Sequence, residues 1–274
     1  MKALLSKAVG GPETLVLEDL PSPKAKPGFA VVSVKAIGVN YPDVLIIEDK
    51  YQFKPARPFA PGSEISGVVK EVGEGVTHVK PGDSLLVLGA AGGVGLAAVE
   101  LGKAMGGRVI AAASSQEKVD LALAHGAESG VVYPLGPFDR DGQKALAEQF
   151  KAAVGPNGVD LVYDGVGGDY AEAAVRSMAW EGRFLVVGFP AGIPRVPFNL
   201  ALLKGCDIVG VFWGSAVSRE PVAHQQNVAE LMELYTTGKI KPHVSEHYPL
   251  SRAAEAISHL ASRKALGKVV VMVD

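Results

Sequence analysis

Small residues at positions 90, 92 and 95 have the types and spacing that point most directly to chemistry. In the series Ala90, Gly92, Gly95, one small residue makes a tight turn, the next lets the backbone approach a pyrophosphate, and the last lets helix and strand pack closely. An apolar run at 84–88 precedes them and a helix-forming run at 96–105 follows. Phosphates would lie on the amides where that helix begins. The spacing predicts a dinucleotide site; the alternative is a strand-to-helix turn without a ligand.

The end of the next apolar run predicts which dinucleotide is bound. Residues 108–113 form a second strand about twenty positions on, as a βαβ unit requires. Ser114 and Ser115 follow it, where an NAD site usually carries an Asp or Glu that holds the ribose hydroxyl and would repel a 2′-phosphate. Lys118 is a candidate partner for that phosphate, and a solvated helix face is the alternative for it. The sequence therefore predicts NADPH.

The elements that position these residues follow an alternating order from Ser84 onward. Six apolar runs read as strands with helices between them: 84–88, 108–113, 130–133, 159–164, 182–188 and 207–211. This order predicts an α/β fold with a doubly wound parallel sheet of the Rossmann type.

The two ends of the chain read differently. Residues 1–83 are β-rich, with strands predicted at 31–36 and 65–72 between Pro-Gly turns. After a helix at 222–237, the chain makes one more helix at 253–263 and a last strand at 268–273, which we expect to return to the first domain. The predicted domains are 1–83, 84–240 and 241–274.

Composition narrows the class of protein. The chain has 274 residues, 48% of them hydrophobic, and a net charge of −2, so it offers no broad basic field for nucleic acid or an anionic membrane. We find no signal-peptide core and no apolar run long enough to cross a bilayer, so we expect a cytoplasmic protein. The single cysteine, Cys206, allows no internal disulfide.

Several short motifs occur in the order and spacing of a known enzyme family. They are residues 38–43 (GVNYPD), 61–67 (PGSEISG), 89–95, 163–168 (YDGVGG), 210–214 (GVFWG) and 266–270 (LGKVV). Over nearly its whole length the chain resembles the zinc-independent quinone oxidoreductase branch of the medium-chain dehydrogenase/reductase superfamily, the ζ-crystallin-like enzymes. The resemblance implies that the first domain is a GroES-like β-barrel that carries catalytic residues.

The resemblance also implies how the substrate site works. The zinc enzymes of the superfamily carry Cys where this chain has Asn40 and His where it has Ser63, and a catalytic zinc site needs such ligands. Asn40, Asp43 and Tyr51 match residues beside the nicotinamide. Tyr51 or Tyr41 could donate a hydrogen bond or proton to the oxygen that gains charge, and Asn40 could orient the substrate. The alternative for Tyr51 is that it packs a loop.

The cofactor residues implied by the resemblance fall into three groups. Those of the pyrophosphate turn are Ala91, Gly92, Gly93 and Val94. Those around the 2′-phosphate are Ser115, Lys118, Tyr133 and Arg263. Those around the nicotinamide are Gly188, Phe189 and Phe212, whereas for the neighbouring Trp213 we expect a place in the core.

The chain departs from this family directly after Asp83. Family members continue there with further strands, a linker and crossing helices, and a Pro-Gly-Asp turn typically stands at each edge of that segment. Here one such tripeptide, at 81–83, takes the place of both. This predicts a deletion of several tens of residues that truncates the barrel and exposes strand edges. We therefore expect self-association, with a homodimer as the predicted state.

The leading hypothesis for function is an enzyme that passes hydride from NADPH to a quinone or similar conjugated carbonyl compound. Reduction of an enone or enoyl-thioester double bond would use the same donor, and nothing in the sequence separates the two. A different class of hypothesis is a catalytically impaired NADPH-binding protein, which the deletion motivates. RNA binding is disfavoured by the acidic balance and by the lack of a basic, aromatic platform.

Overall fold

A computed structural model describes residues 1–21, 32–69, 85–88 and 92–273, with the backbone alone for 32–33, 67–69 and 85–88. The chain divides into two compact units, and each is described by itself. Met1–Gly73 and His243–Asp274 form one, which we name the mixed-sheet unit, and Glu74–Pro242 form the other, the parallel-sheet unit. The assignment of a catalytic and a cofactor-binding domain, with boundaries after residues 83 and 240, stays a prediction.

The strands and helices are numbered in chain order. The strands are β1 (Lys2–Leu5), β2 (Val16–Asp19), β3 (Val32–Val39), β4 (Glu64–Val69), β5 (Leu85–Leu88), β6 (Val109–Ala113), β7 (Ser129–Val132), β8 (Val159–Asp164), β9 (Met178–Val186), β10 (Asp207–Gly210), β11 (Val244–Pro249) and β12 (Lys268–Met272). The helices are α1 (Tyr41–Ile47), α2 (Gly93–Ala104), α3 (Gln116–Ala124), α4 (Arg140–Val154), α5 (Tyr170–Arg176), α6 (Asn199–Lys204), α7 (Trp213–Arg219), α8 (Pro221–Thr236) and α9 (Ala253–Ala261). No helix in the described ranges has the length and apolar run needed to cross a membrane.

The parallel-sheet unit holds a six-stranded sheet in the order β7-β6-β5-β8-β9-β10, and all its pairs are parallel. This is the 3-2-1-4-5-6 order of a Rossmann fold. Leu88 pairs with Ala112 on one side and with Asp164 on the other, so β5, β6 and β8 end at the same edge. The order reverses between β5 and β8, where open α/β sheets bind their ligands. The predicted Rossmann-type sheet is confirmed.

Alternation along β6 explains how this sheet is covered on both faces. All five residues of β6 are buried. Ile110 packs in one cluster with Phe150 of α4, whereas Ala111 packs in another with Val99 of α2. Successive side chains of a strand point to opposite faces, so a fully apolar strand needs helices on both sides.

The outer edge beyond β9 is less covered. Helices α7 and α8 contain no buried residue, and β10 is exposed along its length. Trp213 is 66% exposed, and its ring meets His224 edge-on with 5.7 Å between centroids. The prediction that Trp213 is a core aromatic is therefore wrong. Because α7 packs on α8, which itself buries no residue, the indole has no core to enter.

The mixed-sheet unit contains a four-stranded sheet in the order β11-β12-β3-β4, in which only the β11–β12 pair is parallel. Pairing of β12 with β3 places Val271 opposite Ile37, so the last strand lies beside the amino-terminal part of the chain. Helices α1 and α9 share one apolar cluster with this sheet, in which Ile47, Ala256 and Val269 are fully buried. Strands β1 and β2 form a separate antiparallel pair.

Within the described ranges, two predicted strand boundaries differ from the structure by more than two residues. Strand β3 ends at Val39 and not at Ala36, because residues 37–39 continue the pairing with β12. Strand β9 begins at Met178 and not at Gly182. A Cβ on Gly182 would lie 3.0 Å from the Asp160 carbonyl oxygen, so this glycine allows close approach to β8 and does not mark a strand start.

Candidate cofactor and substrate sites

Helix α2 begins at the carboxyl edge of the parallel sheet, directly after the predicted glycine turn. Gly92 is its N-cap, and without a side chain it cannot satisfy the amides of the first turn. The amides of Gly93 and Val94 therefore have no partner within the helix, and the first turn carries no acidic residue. Such a helix start suits the negative charge of a pyrophosphate. Ala91 lies outside the described residues.

Two serines and a lysine gather where β6 ends. Ser115 caps α3, and its Oγ accepts the N–H of Lys118 at 3.4 Å. The Lys118 Nζ donates to Ser114 Oγ, also at 3.4 Å, and makes no ion pair within the described part of the chain. Lys118 is half-buried, and its ammonium has the Ser114 hydroxyl and no carboxylate as a described partner, which leaves its charge available to a phosphate.

Tyr133 lies beside the same strand end, because its backbone N–H donates to the Ala113 carbonyl at 2.9 Å. Its side chain is 5% exposed and packs in the core, with its ring centroid 4.7 Å from that of Tyr170. The ring thus has a clear structural role. Its predicted contact with the 2′-phosphate stays a prediction.

The three residues expected around the nicotinamide follow the two outer strands at the same edge. Gly188 is the second residue after β9, and its N–H donates to the Asp164 carbonyl at 3.2 Å. Phe189 and Phe212 are 43% and 62% exposed, and Phe212 is the N-cap of α7. Aromatic side chains with this exposure are accessible to a ligand, and the structure brings all three to the carboxyl edge of the sheet.

In the mixed-sheet unit, a polar cluster of Asn40, Glu64 and Lys268 joins the end of β3 to the starts of β4 and β12. Lys268 Nζ donates to Glu64 Oε2 at 2.5 Å and to Asn40 Oδ1 at 2.9 Å, and Asn40 Nδ2 donates to Glu64 Oε2 at 3.0 Å. Gly38 makes room for the cluster, since a Cβ there would lie 2.6 Å from Lys268 Cε. Burial alone would raise the pKa of Glu64, but the hydrogen bonds from Lys268 and Asn40 bring it below its usual value.

Asp43 lies beneath this cluster and is 4% exposed. Its Oδ2 accepts the N–H of Asn40 at 2.7 Å and its Oδ1 accepts the N–H of Gly62 at 3.1 Å. Burial raises the pKa of the Asp43 carboxyl group against the opposing effect of these bonds. The contacts show Asp43 holding the start of α1 and the Pro61–Gly62 turn in place.

The remaining predicted site residues lie apart from this cluster. Tyr51 is half-buried in the loop after α1, and no contact in the described structure gives it a catalytic partner. Arg263 follows α9 with a left-handed backbone, φ 58°, and its side chain is exposed. Arg263 belongs to the mixed-sheet unit, whereas Lys118 and Tyr133 belong to the parallel-sheet unit.

The structure adds Glu64 and Lys268 to the candidate substrate site, and our sequence reasoning gave neither a role. Lys268 is 228 positions from Asn40 in the chain, so no local spacing could reveal their contact. The signal available in the sequence was a pair of opposite charges at strand starts. Lys268 is the first residue of one predicted strand, and Glu64 directly precedes another. Strand pairing, which brings these starts together, is the information that was missing.

Two protein-family profiles match the chain. One, described as zinc-binding dehydrogenase, matches residues 125–271, and the other, described as alcohol dehydrogenase GroES-like domain, matches residues 26–119. The chain belongs to the medium-chain dehydrogenase/reductase superfamily. Within this superfamily, Asn40 and Ser63 agree with the zinc-independent branch, because neither supplies the thiolate or imidazole of a catalytic zinc site.

Similar proteins include quinone oxidoreductases and their relatives. Quinone oxidoreductase-like protein 2 of Bos taurus is 31% identical over 317 positions, which cover 94% of this chain and 88% of the cattle protein. The quinone oxidoreductase of Thermus thermophilus, solved also with NADPH, is 29% identical with a TM-score of 0.83. A mycobacterial protein solved with NADPH is 26% identical with a TM-score of 0.84, and in both structures the match covers all of each chain.

The cattle alignment also measures how much shorter this superfamily member is. Since 94% of 274 residues is about 258, at least about 59 of the 317 aligned positions have no counterpart here. The GroES-like profile runs across the Pro81–Asp83 junction. The size of the shortfall agrees with the predicted loss of several tens of residues.

Proposed function

We propose that this chain is an NADPH-dependent oxidoreductase that passes hydride to a quinone or similar conjugated carbonyl compound without zinc. The observation that carries the proposal is the group of Ser114, Ser115 and Lys118 at the end of β6, where a cation and two hydroxyls stand in place of a carboxylate. The NADPH complexes of the Thermus and mycobacterial proteins support the same cofactor.

The residues present fit NADPH at both phosphate positions. The amides of Gly93 and Val94 at the start of α2 would hold the pyrophosphate, and Lys118 with Ser115 would hold the 2′-phosphate. An acidic side chain at the end of β6 would repel that dianion, and Ser114 and Ser115 stand there. Bound NADPH supplies the hydride.

The proposed contact with the substrate rests on a count of the N–H donors in the polar cluster and of the acceptors that they already bind. An asparagine amide has two N–H donors, and those of Asn40 go to Glu64 and to the Gly38 carbonyl. A lysine ammonium has three donors, and within the described part of the chain Lys268 uses two. We therefore assign the third N–H donor of Lys268 to the substrate oxygen that gains negative charge. Asn40 and Glu64 would fix the position of the ammonium.

The main alternative is a catalytically impaired NADPH-binding protein. The observation that favours it is the shortfall of at least about 59 aligned positions. If it lies after Asp83, as the sequence predicts, it shortens the GroES-like part and leaves the cofactor residues in place. Reduction of an enone or enoyl thioester remains the alternative chemistry, since it needs the same donor and the same oxygen-stabilising cation.

Self-association is part of the proposal, with a homodimer as the expected state. The β10 strand is the outer member of the parallel sheet, and its residues Ile208 and Val209 are 39% and 38% exposed. An exposed apolar edge strand presents unpaired N–H and C=O groups to a second chain. Light scattering that shows a monomer at micromolar concentration would contradict this part.

The deciding experiment follows NADPH absorbance with a simple quinone, using the natural chain, Lys118→Ala and the control Lys151→Ala. Lys151 lies on the exposed face of α4 and pairs with Glu148 at 2.8 Å. We expect turnover in the natural chain, and a KM for NADPH raised about ten- to a hundredfold in Lys118→Ala, the usual worth of a hydrogen bond to a charged group. Lys151→Ala should match the natural chain.

Either failure has a definite meaning. If NADPH protects the protein against heat but no quinone or enone is reduced, the impaired binding protein becomes the better interpretation. If Lys118→Ala raises the KM for NADH and NADPH equally, Lys118 does not recognise the 2′-phosphate.

A further inference from the structure

Asp164 is the last residue of β8 and lies at the point where the strand order of the parallel sheet reverses. It pairs with Leu88 at the end of β5 on one side and with Val186 at the end of β9 on the other. It is 1% exposed. A carboxylate is costly to bury, so a buried aspartate at the ligand-binding edge of such a sheet calls for a role.

The side chain of Asp164 organises the loop that follows β8. Its Oδ1 accepts the N–H of Val166 at 2.9 Å and the N–H of Gly167 at 2.8 Å. These bonds turn the chain back on itself, and Gly167 and Gly168 then adopt left-handed backbones with φ of 70° and 59°. Glycine adopts this conformation without the steric cost that a Cβ brings.

The backbone of Asp164 organises the loop that follows β9. Its carbonyl oxygen accepts the N–H groups of Val187 at 3.0 Å and Gly188 at 3.2 Å. One residue therefore holds the starts of both loops, through its side chain on one and its main chain on the other. Gly188 is one of the residues that the family resemblance places at the nicotinamide.

The two loops are also bound to each other. The N–H of Ala191 donates to the Val166 carbonyl at 2.9 Å, and the N–H of Gly168 donates to the Gly192 carbonyl at 2.7 Å. The contact is close, since a Cβ on Gly167 would lie 2.5 Å from the Cβ of Phe189. A change in the loop after β8 must therefore move Phe189.

We propose that Asp164 is a positioning residue for the hydride step: its carboxylate shapes the loop after β8, which fixes Gly188 and Phe189 where the nicotinamide binds. The inference rests on the proposed function. The clamp needs a single acceptor atom, because Oδ1 takes both amides and the buried Oδ2 has no hydrogen-bond partner among the described residues. An asparagine in its place keeps that acceptor, whereas an alanine removes it.

The test compares Asp164→Ala and Asp164→Asn in steady-state kinetics with NADPH and deuterated NADPH. For Asp164→Ala we expect kcat to fall at least about tenfold with a larger isotope effect, since displacing reacting groups by about 1 Å can cost about a hundredfold. The KM for NADPH should stay within about threefold, because Lys118 lies in α3 and Ser115 caps that helix, so neither belongs to the clamped loops. Asp164→Asn should restore kcat to within about threefold of the natural chain.

The control is Asp139→Ala, which removes an aspartate that also accepts a backbone amide. Asp139 caps α4, and its Oδ1 accepts the N–H of Gly142 at 2.8 Å. Its neighbours Phe138 and Gln143 bond to Asp169, which lies beyond the bonds that join the two loops, so loss of this cap leaves those bonds intact. This variant should lose thermal stability but keep its kcat and isotope effect. A fall of kcat in Asp139→Ala equal to that in Asp164→Ala would show that general destabilisation explains the result and would overturn the inference.

Two further results would overturn the positioning role. One is an unchanged kcat in Asp164→Ala, and the other is an equal loss in Asp164→Asn, which would make the charge and not the acceptor essential. Amide hydrogen exchange tests the clamp without any turnover. Exchange at 165–169 and 187–192 should rise in Asp164→Ala and return to the natural level in Asp164→Asn. Because this result does not depend on turnover, the absence of quinone reduction would refute the proposed function and leave the clamp itself testable.

Discussion

The two units each bury an aspartate beside a candidate site, and the two carboxylates use their oxygens differently. Asp43 in the mixed-sheet unit is 4% exposed and Asp164 in the parallel-sheet unit is 1% exposed, and burial raises the pKa of both. Asp43 divides two backbone N–H groups between its two oxygens. Asp164 takes two N–H groups on Oδ1 alone and leaves Oδ2 without a partner among the described residues.

The difference shows which chemical property each region needs. At Asp43 both oxygens must be acceptors, so an amide would set an NH2 group against a backbone N–H. At Asp164 one acceptor is enough. The mixed-sheet site therefore needs two acceptor oxygens on one side chain, which only a carboxylate supplies, and the Lys268 ammonium bonds to the neighbouring Asn40 and Glu64. The edge of the parallel sheet needs one acceptor oxygen and is held by backbone hydrogen bonds. The predictions below test this contrast, beginning with the largest effect.

Removing the Lys268 ammonium should affect the mixed-sheet site most. We expect Lys268→Ala to lower kcat about a hundredfold, because losing a donor aimed at developing negative charge costs about 10² to 10³ in rate. The KM for NADPH should change little, since the assigned cofactor residues Lys118 and Ser115 belong to the parallel-sheet unit. Steady-state kinetics with a simple quinone gives both values.

Lys2→Ala is the matched control for this prediction. Lys2 is also in the mixed-sheet unit and pairs with Asp19 at 2.9 Å, but both side chains are exposed, and such pairs contribute little. Its kinetics should equal those of the natural chain. If Lys268→Ala instead keeps its kcat and raises the KM for NADPH, the ammonium serves a cofactor phosphate and not the substrate oxygen.

The two aspartates should respond differently to the same substitution. Asp43→Asn should lower the free energy of unfolding by about 1–3 kcal/mol, the cost of leaving a buried backbone donor without an acceptor. Asp164→Asn should lose less free energy of unfolding than Asp43→Asn, because its amide oxygen still accepts both N–H groups and its NH2 replaces an oxygen that bonds to no backbone donor among the described residues. Urea unfolding of the two variants side by side measures the difference, and equal losses in both would refute the contrast.

The same contrast shows what the sequence could reveal. The parallel sheet was predictable because most of its strands contain a short apolar run, and the glycine turn at Gly92 and the serines after β6 could be read within a few residues of a strand end. The polar cluster was not, since Lys268 and Glu64 are 204 positions apart and meet only when β12 and β4 flank β3. The prediction that Trp213 lies in the core failed for a related reason. Its apolar neighbours indicated a core, but a helix packed only on another exposed helix provides none.

The pH dependence of stability should separate the natural chain from Asp164→Asn. Because burial raises the pKa of Asp164 above its ordinary 3.8, the folded protein binds this proton more tightly than the unfolded chain does. The stability from this group is complete below pH 3.8 and is lost as the pH rises through the folded-state pKa. Asparagine does not titrate, so the melting temperature of the variant minus that of the natural chain should increase from about pH 4 to about pH 7. A constant difference would show that burial does not raise the pKa of Asp164.

The smallest expected effect concerns the cap of α3, and it asks whether the parallel-sheet edge is built for stability or for the cofactor. The Ser115 hydrogen bond to the Lys118 amide is long, at 3.4 Å, so Ser115→Ala should cost about 0.5 kcal/mol, the low end for an N-cap. Asp139→Ala, which removes a 2.8 Å cap, should cost about 1 kcal/mol. If Ser115 holds the cofactor, thermal stabilisation by NADPH should shrink in Ser115→Ala and stay unchanged in Asp139→Ala, because a ligand stabilises in proportion to its affinity for the folded state. Equal NADPH stabilisation in both variants would make Ser115 a cap and nothing more, and would leave Lys118 to recognise the phosphate alone.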